Sequence, residues 1–131
     1  MKPLPPKRAF TLLEIMIVVT IIGLLVSIAI PAFGKIRSRS TLTMMKNDAR
    51  QLSSGAEQYF LETGATEIQF STSPDGTVGS PMNLYVPKIS SNYIAVSGSI
   101  IDGNSFFLSH HGYNDGNPVY FSDNGGILTG N

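Results

Sequence analysis

The side chain with the clearest chemical requirement in this sequence is the carboxylate of Glu14. It lies near the start of residues 10–30, a stretch that is otherwise apolar or small apart from three hydroxyl side chains. A helix of about 20 residues crosses the ~30 Å hydrocarbon core of a bilayer, so this stretch is long enough to span a membrane. An unpaired charge at the centre of such a helix costs about 2.5 to 3.5 kcal/mol. We therefore expect Glu14 to need a positively charged partner.

The nearest candidate for that partner is an amine that cleavage of the chain would create. A short basic leader, which includes Lys7 and Arg8, ends directly before the apolar stretch. If the chain were cut between Ala9 and Phe10, the new α-amino group would lie one helical turn from Glu14, or beside the Glu14 of a neighbouring copy. Cleavage followed by charge pairing is therefore the first chemistry that the sequence suggests.

Two groups of residues near the C-terminus are candidates for metal binding. His110 and His111 are adjacent, which in a strand points them to opposite faces, and no cysteine or third histidine exists to complete a soft-metal site. We interpret them as polar residues at a strand end. Asp102, Asp115 and Asp123 lie among asparagines in predicted loops and offer the oxygen ligands that calcium prefers. Turn formation is the commoner role of such residues, and calcium binding is the alternative hypothesis.

Length and composition limit the remainder of the chain to one small domain without catalytic chemistry. Beyond the leader and the apolar stretch about 100 of the 131 residues remain, and there is no cysteine to form a disulfide. The sequence positions no nucleophile with a base or an oxyanion hole, so we do not predict an enzyme.

Charge is distributed unevenly along the chain. The formal net charge is zero, but loss of the three basic leader residues would leave six basic against nine acidic side chains. Residues 51–131 contain seven acids and only one base, Lys88. The other five basic side chains form a cluster that we call the basic neck: Lys35, Arg37, Arg39, Lys46 and Arg50.

The periodicity after the apolar stretch predicts that the helix continues over residues 35–63. Apolar residues recur at spacings of three and four and form one stripe: Leu42, Met45, Ala49, Leu52, Ala56 and Tyr59. The side chains predicted to point away from this stripe are Lys46, Asp48, Arg50, Ser53 and Glu57. Gly64 suits a left-handed C-terminal cap. Pro31 and Gly34 are the predicted places for a helix kink.

Residues 67–131 have the pattern of a small β-region. Short apolar runs between Gly, Asn, Asp, Ser and Pro predict strands at residues 67–71, 84–86, 93–97, 105–110, 118–122 and 127–129. Asn124-Gly125 suits a tight hairpin turn. The predicted fold class is α+β, with a long N-terminal helix, half transmembrane and half amphipathic, packed on a small, mostly antiparallel β-sheet.

Five features follow one another in order at the N-terminus: the basic pair, Phe10, Glu14, the apolar run and Pro31. This order resembles the type IV prepilins and pseudopilins, the subunits of bacterial pili and of the type II secretion pseudopilus. The resemblance covers residues 7–36. The β-region carries no motif that matches the family.

The resemblance implies a route of processing and assembly. A prepilin peptidase would remove the leader, residues 1–9, by cutting between Ala9 and Phe10, and would methylate the Phe10 nitrogen. Ala9 stands where the family usually has glycine, and alanine is the smallest replacement. Glu14 would guide docking between subunits, which then pack helix against helix in a filament.

The resemblance also implies a location and partners. Residues 10–30 would hold the subunit in the bacterial inner membrane by a single pass, and residues 31–131 would form a head in the periplasm or outside the cell. The implied partners are membrane lipid, sister pilin-like subunits, and an inner-membrane assembly platform with its ATPase. Nucleic acid is not expected as a partner. The absence of cysteine favours a pseudopilin or minor subunit, because many pilins close their C-terminal region with a disulfide.

Simpler interpretations compete with this one. An ordinary secretory signal peptide has an apolar region of about 7 to 15 residues and a small-x-small cleavage site, for which Ser27-Ile28-Ala29 would serve. The apolar run here is longer and carries an acid. A single-pass anchor for a binding domain that never polymerises is the alternative of a different functional class. The basic neck is open to three interpretations: a solvated face or headgroup contact, pairing with the acidic part of an adjacent subunit, or binding of an extracellular polyanion such as DNA.

Overall fold

The computed structural model describes residues 10–128 of the chain. The described residues form one long helix, α1 (Leu12–Thr63), followed by four short strands and two single-turn 3₁₀ helices. The strands are β1 (Glu67–Thr72), β2 (Val96–Ile101), β3 (Ser105–Leu108) and β4 (Val119–Ser122), and the 3₁₀ helices are Met82–Leu84 and Asn114–Gly116. The chain divides into two compact units, of which the first ends at Ile36 and the second begins at Arg37.

In the first unit, α1 presents apolar side chains that no described residue of the unit covers. Its most apolar stretch is long enough to cross a membrane, and none of that stretch is buried. Soluble monomers rarely expose contiguous apolar patches larger than a few hundred Å². The hydroxyls of Thr20 and Ser27 donate to the carbonyls of Met16 (2.7 Å) and Gly23 (2.8 Å), so neither depends on water. This surface is therefore suited to lipid or to other apolar helices.

In the second unit, one face of α1 forms part of a hydrophobic core. Met45, Ala49, Leu52 and Ala56 are buried, which confirms the predicted apolar stripe. They pack against apolar side chains from the rest of the unit, among them Ile68, Phe70, Met82, Tyr93, Ile100, Leu108 and Phe121. The helix ends where predicted, because Gly64 has a φ of +69° and donates its N–H to the carbonyl four residues earlier at 2.8 Å.

The strands form two antiparallel pairs, β1 with β2 and β3 with β4. Phe70 lies opposite Gly98 in the first pair, and Phe106 lies opposite Phe121 in the second. Burial alternates along β1, whose Ile68 and Phe70 face the core while their neighbours face outward. The predicted combination of a long helix with a small antiparallel β-region is confirmed.

The strand predicted at residues 84–86 is wrong. Met82–Leu84 is instead a 3₁₀ helix, and the N–H groups of Tyr85 and Val86 both donate to the Met82 carbonyl, at 3.0 and 2.9 Å. Met82 and Val86 are buried on either side of this turn. Their apolar character reflects two core anchors on one turn, which a short sequence does not distinguish from a strand.

Two other predicted strands differ from the observed elements. The strand predicted at residues 93–97 begins three residues later, as β2, and Tyr93 is buried and pairs with His110 in an isolated antiparallel bridge. The last predicted strand, residues 127–129, is represented among the described residues by a single bridge at Ile127. Thr129 lies outside the described residues.

The predicted turn at Asn124-Gly125 is confirmed, and it packs closely on α1. The N–H of Ser122 donates to the Gly126 carbonyl at 2.7 Å, which closes the turn. Gly125 has a φ of +74°, and a Cβ there would lie 2.7 Å from the Cα of Arg50. Both the backbone conformation and the space therefore require glycine at this position.

A buried carboxylate, Asp48, connects α1 to the loop before β2. Asp48 is only 3% exposed, and its oxygens accept hydrogen bonds from the Tyr93 hydroxyl (2.8 Å), the Ser90 hydroxyl (3.2 Å) and the Ser90 N–H (3.3 Å). Burial and the neighbouring Asp48 carboxylate raise the pKa of the Tyr93 hydroxyl far above its usual value. The hydroxyl therefore remains a proton donor to Asp48.

The prediction that Asp48 and Ser53 point away from the core is wrong, since both are buried. Asp48 lies three residues after Met45 and four before Leu52, so helical geometry puts it on the apolar stripe. Its polarity made it look like a surface residue, whereas its position in the period indicates burial.

Replacing Asp48 with alanine should lower the free energy of unfolding by about 3 kcal/mol, because Tyr93 and Ser90 lose their acceptor. Tyr93→Phe removes one hydrogen bond and should cost about 1 kcal/mol. Asn47→Ala, an exposed change on the same helix, should alter stability by less than about 0.5 kcal/mol. Denaturant unfolding of the full chain in detergent, followed by near-ultraviolet circular dichroism, measures the three values. Equal stability of Asp48→Ala and Asn47→Ala would contradict the role assigned to Asp48.

Candidate functional site

The N-terminus of α1 is closed by a reciprocal pair of side chains, Thr11 and Glu14. Glu14 Oε2 accepts hydrogen bonds from the Thr11 N–H (2.9 Å) and hydroxyl (3.0 Å), and Thr11 Oγ1 accepts one from the Glu14 N–H (3.3 Å). This arrangement is a capping box, in which two side chains satisfy each other's backbone donors. The sequence analysis missed it, although threonine followed three residues later by glutamate before an apolar run is its signature.

The cap holds the Glu14 carboxylate in place without neutralising its charge. Both donors from Thr11 are uncharged, and both bind the same oxygen, so Oε1 takes no part in these bonds. The first turn of a helix also favours negative charge, because the helix dipole is positive there. An ammonium group brought to this turn would therefore meet a carboxylate that is already oriented.

The residues of the predicted cleavage site precede this cap in the sequence, and those of the predicted helix kink follow it. Phe10 is 81% exposed, whereas Ala9 and the rest of the leader lie outside the described residues. Cleavage between them stays a prediction. Pro31 lies inside α1, and Gly34 has no neighbouring atom within 4 Å of an added Cβ. A kink at these two residues also stays a prediction.

Two of the three candidate calcium ligands, Asp123 and Asp115, take part in loop structure: Asp123 bonds to a loop N–H, and Asp115 lies within a turn. Asp123 Oδ2 accepts a hydrogen bond from the Gly103 N–H at 3.0 Å, and Asp102 is the residue just before that glycine. Asp115 lies within Asn114–Gly116 and has a left-handed φ of +52°. Within residues 10–128, no three His, Asp or Glu side chains come together as a metal centre would require. Calcium binding stays a prediction.

His110 and His111 occupy different environments. His110 is buried, its Nδ1 accepts a hydrogen bond from the Gly112 N–H (2.9 Å), and its Nε2 lies 3.1 Å from the Ser91 carbonyl. Because Nδ1 is an acceptor, the ring proton is on Nε2 and is donated to Ser91. The ring also lies edge-on to Tyr93 at 5.1 Å. His110 therefore supports the loop, while His111 is exposed at the surface.

The first part of the chain matches a family model described as the prokaryotic N-terminal methylation motif, over residues 4–30. The matched segment includes the Ala9-Phe10 pair, the capping box and nearly all of the exposed apolar surface. Within the described residues, the part of the chain that the family model recognises is therefore the part whose apolar side chains are exposed.

Several curated proteins are similar to this chain. The type IV major pilin protein PilA of Myxococcus xanthus is 45% identical over 58 residues, which is 44% of this chain and 26% of that protein. A fimbrial protein of Pseudomonas aeruginosa is 39% identical over 71 residues, covering 54% of this chain and 45% of the relative. A type IV major fimbrial protein FimA of Dichelobacter nodosus is 27% identical over 106 residues, covering 81% and 57%.

The chain thus spans between about a quarter and just over half of the length of these relatives. No solved structure matches it. The methylation motif, the pilin relatives and the long helix packed on a small antiparallel β-region agree with one another. These findings support the type IV prepilin family: the N-terminal part of the chain carries its methylation motif, and the chain is similar to type IV pilins and fimbrial proteins.

Proposed function

We propose that this protein is a structural subunit of a type IV pilus-like filament, made as a membrane-inserted precursor and assembled by packing its N-terminal helix against those of sister subunits. The observation that carries the proposal is the uncovered apolar surface of α1 in the first unit, with the acid Glu14 fixed in a cap at its start. The names of the curated relatives, which are pilins and fimbrial proteins, support the same assignment.

The proposal explains why the part of α1 in the first unit is apolar on all of its faces. Lipid contacts it while the subunit is in the membrane, and the helices of sister subunits contact it in the filament. Lipid chains and leucine side chains are similarly apolar, so the exchange has little hydrophobic cost. The hydroxyls of Thr20 and Ser27 fit both environments, because they are satisfied within α1.

The charge of Glu14 favours the filament over the membrane in this exchange. A prepilin peptidase releases an α-amino group at Phe10, and the filament brings the amine of one subunit beside the carboxylate of another. An ion pair in an apolar environment is stronger than at a water-exposed surface, so it fixes the axial offset between neighbouring helices. The capping box orients Glu14 for this contact before assembly.

The route assigns a location and partners. The subunit crosses the bacterial inner membrane once, with the second unit in the periplasm or outside the cell. Its partners are the prepilin peptidase, sister subunits, the assembly platform with its ATPase, and membrane lipid. The relatives named above favour a pilus over a type II secretion pseudopilus as the assembled form. We assign no enzymatic activity to the subunit.

The mature protein should begin with N-methylated Phe10. Ala9→Gly should be cleaved at least as fast as the native chain, and Ala9→Leu should accumulate as precursor, because a bulky residue beside the cut obstructs the peptidase. Intact-mass measurement of membrane-extracted protein gives the start of each chain and the added methyl group. A mature chain that starts at Ile30 would instead indicate an ordinary signal peptide.

Removing the charge of Glu14 should leave membrane insertion intact and reduce assembly about tenfold or more, the loss expected from one ion pair. Glu14→Gln keeps the shape of the capping box and removes only the charge, whereas Glu14→Val removes both. Thr11→Ala is the matched control, since it removes the two bonds of the box that use the Thr11 hydroxyl and leaves the carboxylate. Cell fractionation measures insertion, and quantification of sheared fibres measures assembly in the same cells.

These variants separate charge from capping. A large loss of fibres with Glu14→Gln and a clearly smaller loss with Thr11→Ala, which only loosens the orientation of the carboxylate, is the expected pattern. The reverse pattern would mean that the cap, and not the ion pair, is what assembly requires. Normal fibres from Glu14→Val would overturn the assembly mechanism and favour a membrane-anchored domain that does not polymerise.

A further inference from the structure

A cleft of about 420 Å³ lies in the second unit, between the start of its helical segment and two loops of the β-region. The helix contributes Arg37 and Thr41, and the loops contribute Ser91, Asn92 and His111. This volume is within the range of small-molecule sites in proteins, roughly 300–1,000 Å³. We call it the Arg37 cleft.

The walls of the Arg37 cleft are held in place by hydrogen bonds that leave its outer side chains free to face a ligand. Buried His110 connects the two loops through the Ser91 carbonyl (3.1 Å) and the Gly112 N–H (2.9 Å). The His111 N–H donates to the Asn92 carbonyl at 3.2 Å. Preformed walls reduce the conformational entropy that the protein must lose when a ligand binds.

Close packing fixes the rear of the cleft as well. A Cβ at Gly112 would lie 3.2 Å from the His110 ring and 3.3 Å from Thr41 Oγ1, so the loop lies directly against the helix. Asn92 has a φ of +71°, a left-handed conformation that asparagine tolerates better than most other non-glycine residues.

The chemistry of the lining points to an anion. Arg37, Ser91, Asn92 and His111 are all exposed and bear hydrogen-bond donors. No aspartate or glutamate is among the described residues that line the cleft. Arginine binds phosphate oxygens with two parallel hydrogen bonds, and hydroxyl and amide groups supply further donors. The Arg37 cleft therefore has the composition of a phosphate site.

The position of Arg37 in the sequence indicates where the phosphate comes from. Arg37 follows Ile30, the last residue of the predicted membrane stretch, by only seven residues. Seven residues span at most about 25 Å even when fully extended, so a membrane-resident subunit keeps this cleft near the lipid headgroups. Lys35 and Arg39 add positive charge on either side, and each basic residue near an anionic membrane surface contributes about 1 kcal/mol of attraction.

We propose that the Arg37 cleft binds the phosphate headgroup of an anionic phospholipid while the subunit is in the membrane. Arg37 binds the phosphate, and Ser91, Asn92 and His111 donate hydrogen bonds to its oxygens or to the polar group attached to it. The proposal rests on the membrane-resident stage of the proposed function, but it does not depend on filament formation.

One nearby acid sets the strength of this site. Asp115 lines an adjoining recess together with Arg37 and His111, so its carboxylate competes for the same cationic surface. Because Asp115 has a φ of +52°, asparagine is a suitable replacement: it has the same shape without the charge and tolerates the left-handed conformation. Asp115→Asn removes the competing charge while preserving the turn, and it should strengthen headgroup binding.

The test uses the full chain in detergent, titrated with dioleoylphosphatidylglycerol or dioleoylphosphatidylcholine, with bound lipid counted by native mass spectrometry. The native chain should bind phosphatidylglycerol about tenfold more tightly than phosphatidylcholine, and Arg37→Gln should remove that preference. Arg39→Gln is the matched control: it removes the same charge two residues away, outside the cleft, and should weaken binding less than about threefold. Asp115→Asn should bind phosphatidylglycerol more tightly than the native chain.

Each other outcome overturns the proposal in a recognisable way. Equal losses with Arg37→Gln and Arg39→Gln would mean diffuse attraction and not a site. Displacement of the lipid by an equal concentration of inorganic phosphate would make the ligand a free anion. Retention that depends on chain–chain association would make it a second copy. Failure of the chain to insert into membranes, measured separately by fractionation, would count against the proposed function and not against the cleft.

Discussion

None of the described residues of the first unit covers the apolar surface of α1, and every other feature of the N-terminal half is subject to that constraint. A surface apolar on all sides is stable only beside lipid or beside other apolar surfaces, so polar groups within it must be satisfied by the chain itself. Thr20 and Ser27 meet this condition by donating to carbonyls of the preceding turn. Glu14 meets it in part, through two bonds from Thr11 that leave its charge uncompensated. The remaining charge is the one group in this surface that still requires an external partner.

The second part of the same helix differs from the first, because only one of its faces is apolar. Met45, Ala49, Leu52 and Ala56 recur with helical spacing and are buried by the β-region. The only strongly polar side chain on that stripe, Asp48, is satisfied by Tyr93 and Ser90. The loop that supplies these donors continues directly into Ser91 and Asn92, which line the Arg37 cleft. A buried hydrogen-bond network thus positions a polar surface site.

The features that the sequence predicted well are those whose signals are local. The end of α1 at Gly64 and the tight turn at Asn124-Gly125 both depend on the backbone freedom of one glycine, which a single position reveals. The 3₁₀ helix at Met82–Leu84 was not predictable in the same way, because two apolar residues near each other fit a strand or an anchored turn equally well.

The functional features also divide into those with a local sequence signal and those that depend on tertiary packing. Glu14 is identifiable from the sequence because an acid in an apolar run is conspicuous. Its cap with Thr11 is also a local signal, since the two residues are three positions apart. The burial of Asp48 is an effect of tertiary packing: its donors lie more than 40 residues away in the sequence. The Arg37 cleft is assembled from three segments, near residues 37–44, 91–92 and 110–112, and no window of the sequence contains it.

Because the apolar surface has similar affinity for lipid and for sister helices, the polar groups must determine which environment a subunit occupies. In the proposed assembly, pairing of Glu14 with the amine of another processed subunit would favour the filament. The proposed binding of a headgroup in the Arg37 cleft would favour the membrane, where the headgroup remains. The two interactions act at opposite ends of the apolar stretch and in opposite directions. A subunit with both would stay in the bilayer until assembly contacts outweigh the loss of one bound headgroup, so the strength of the cleft sets how readily it is extracted.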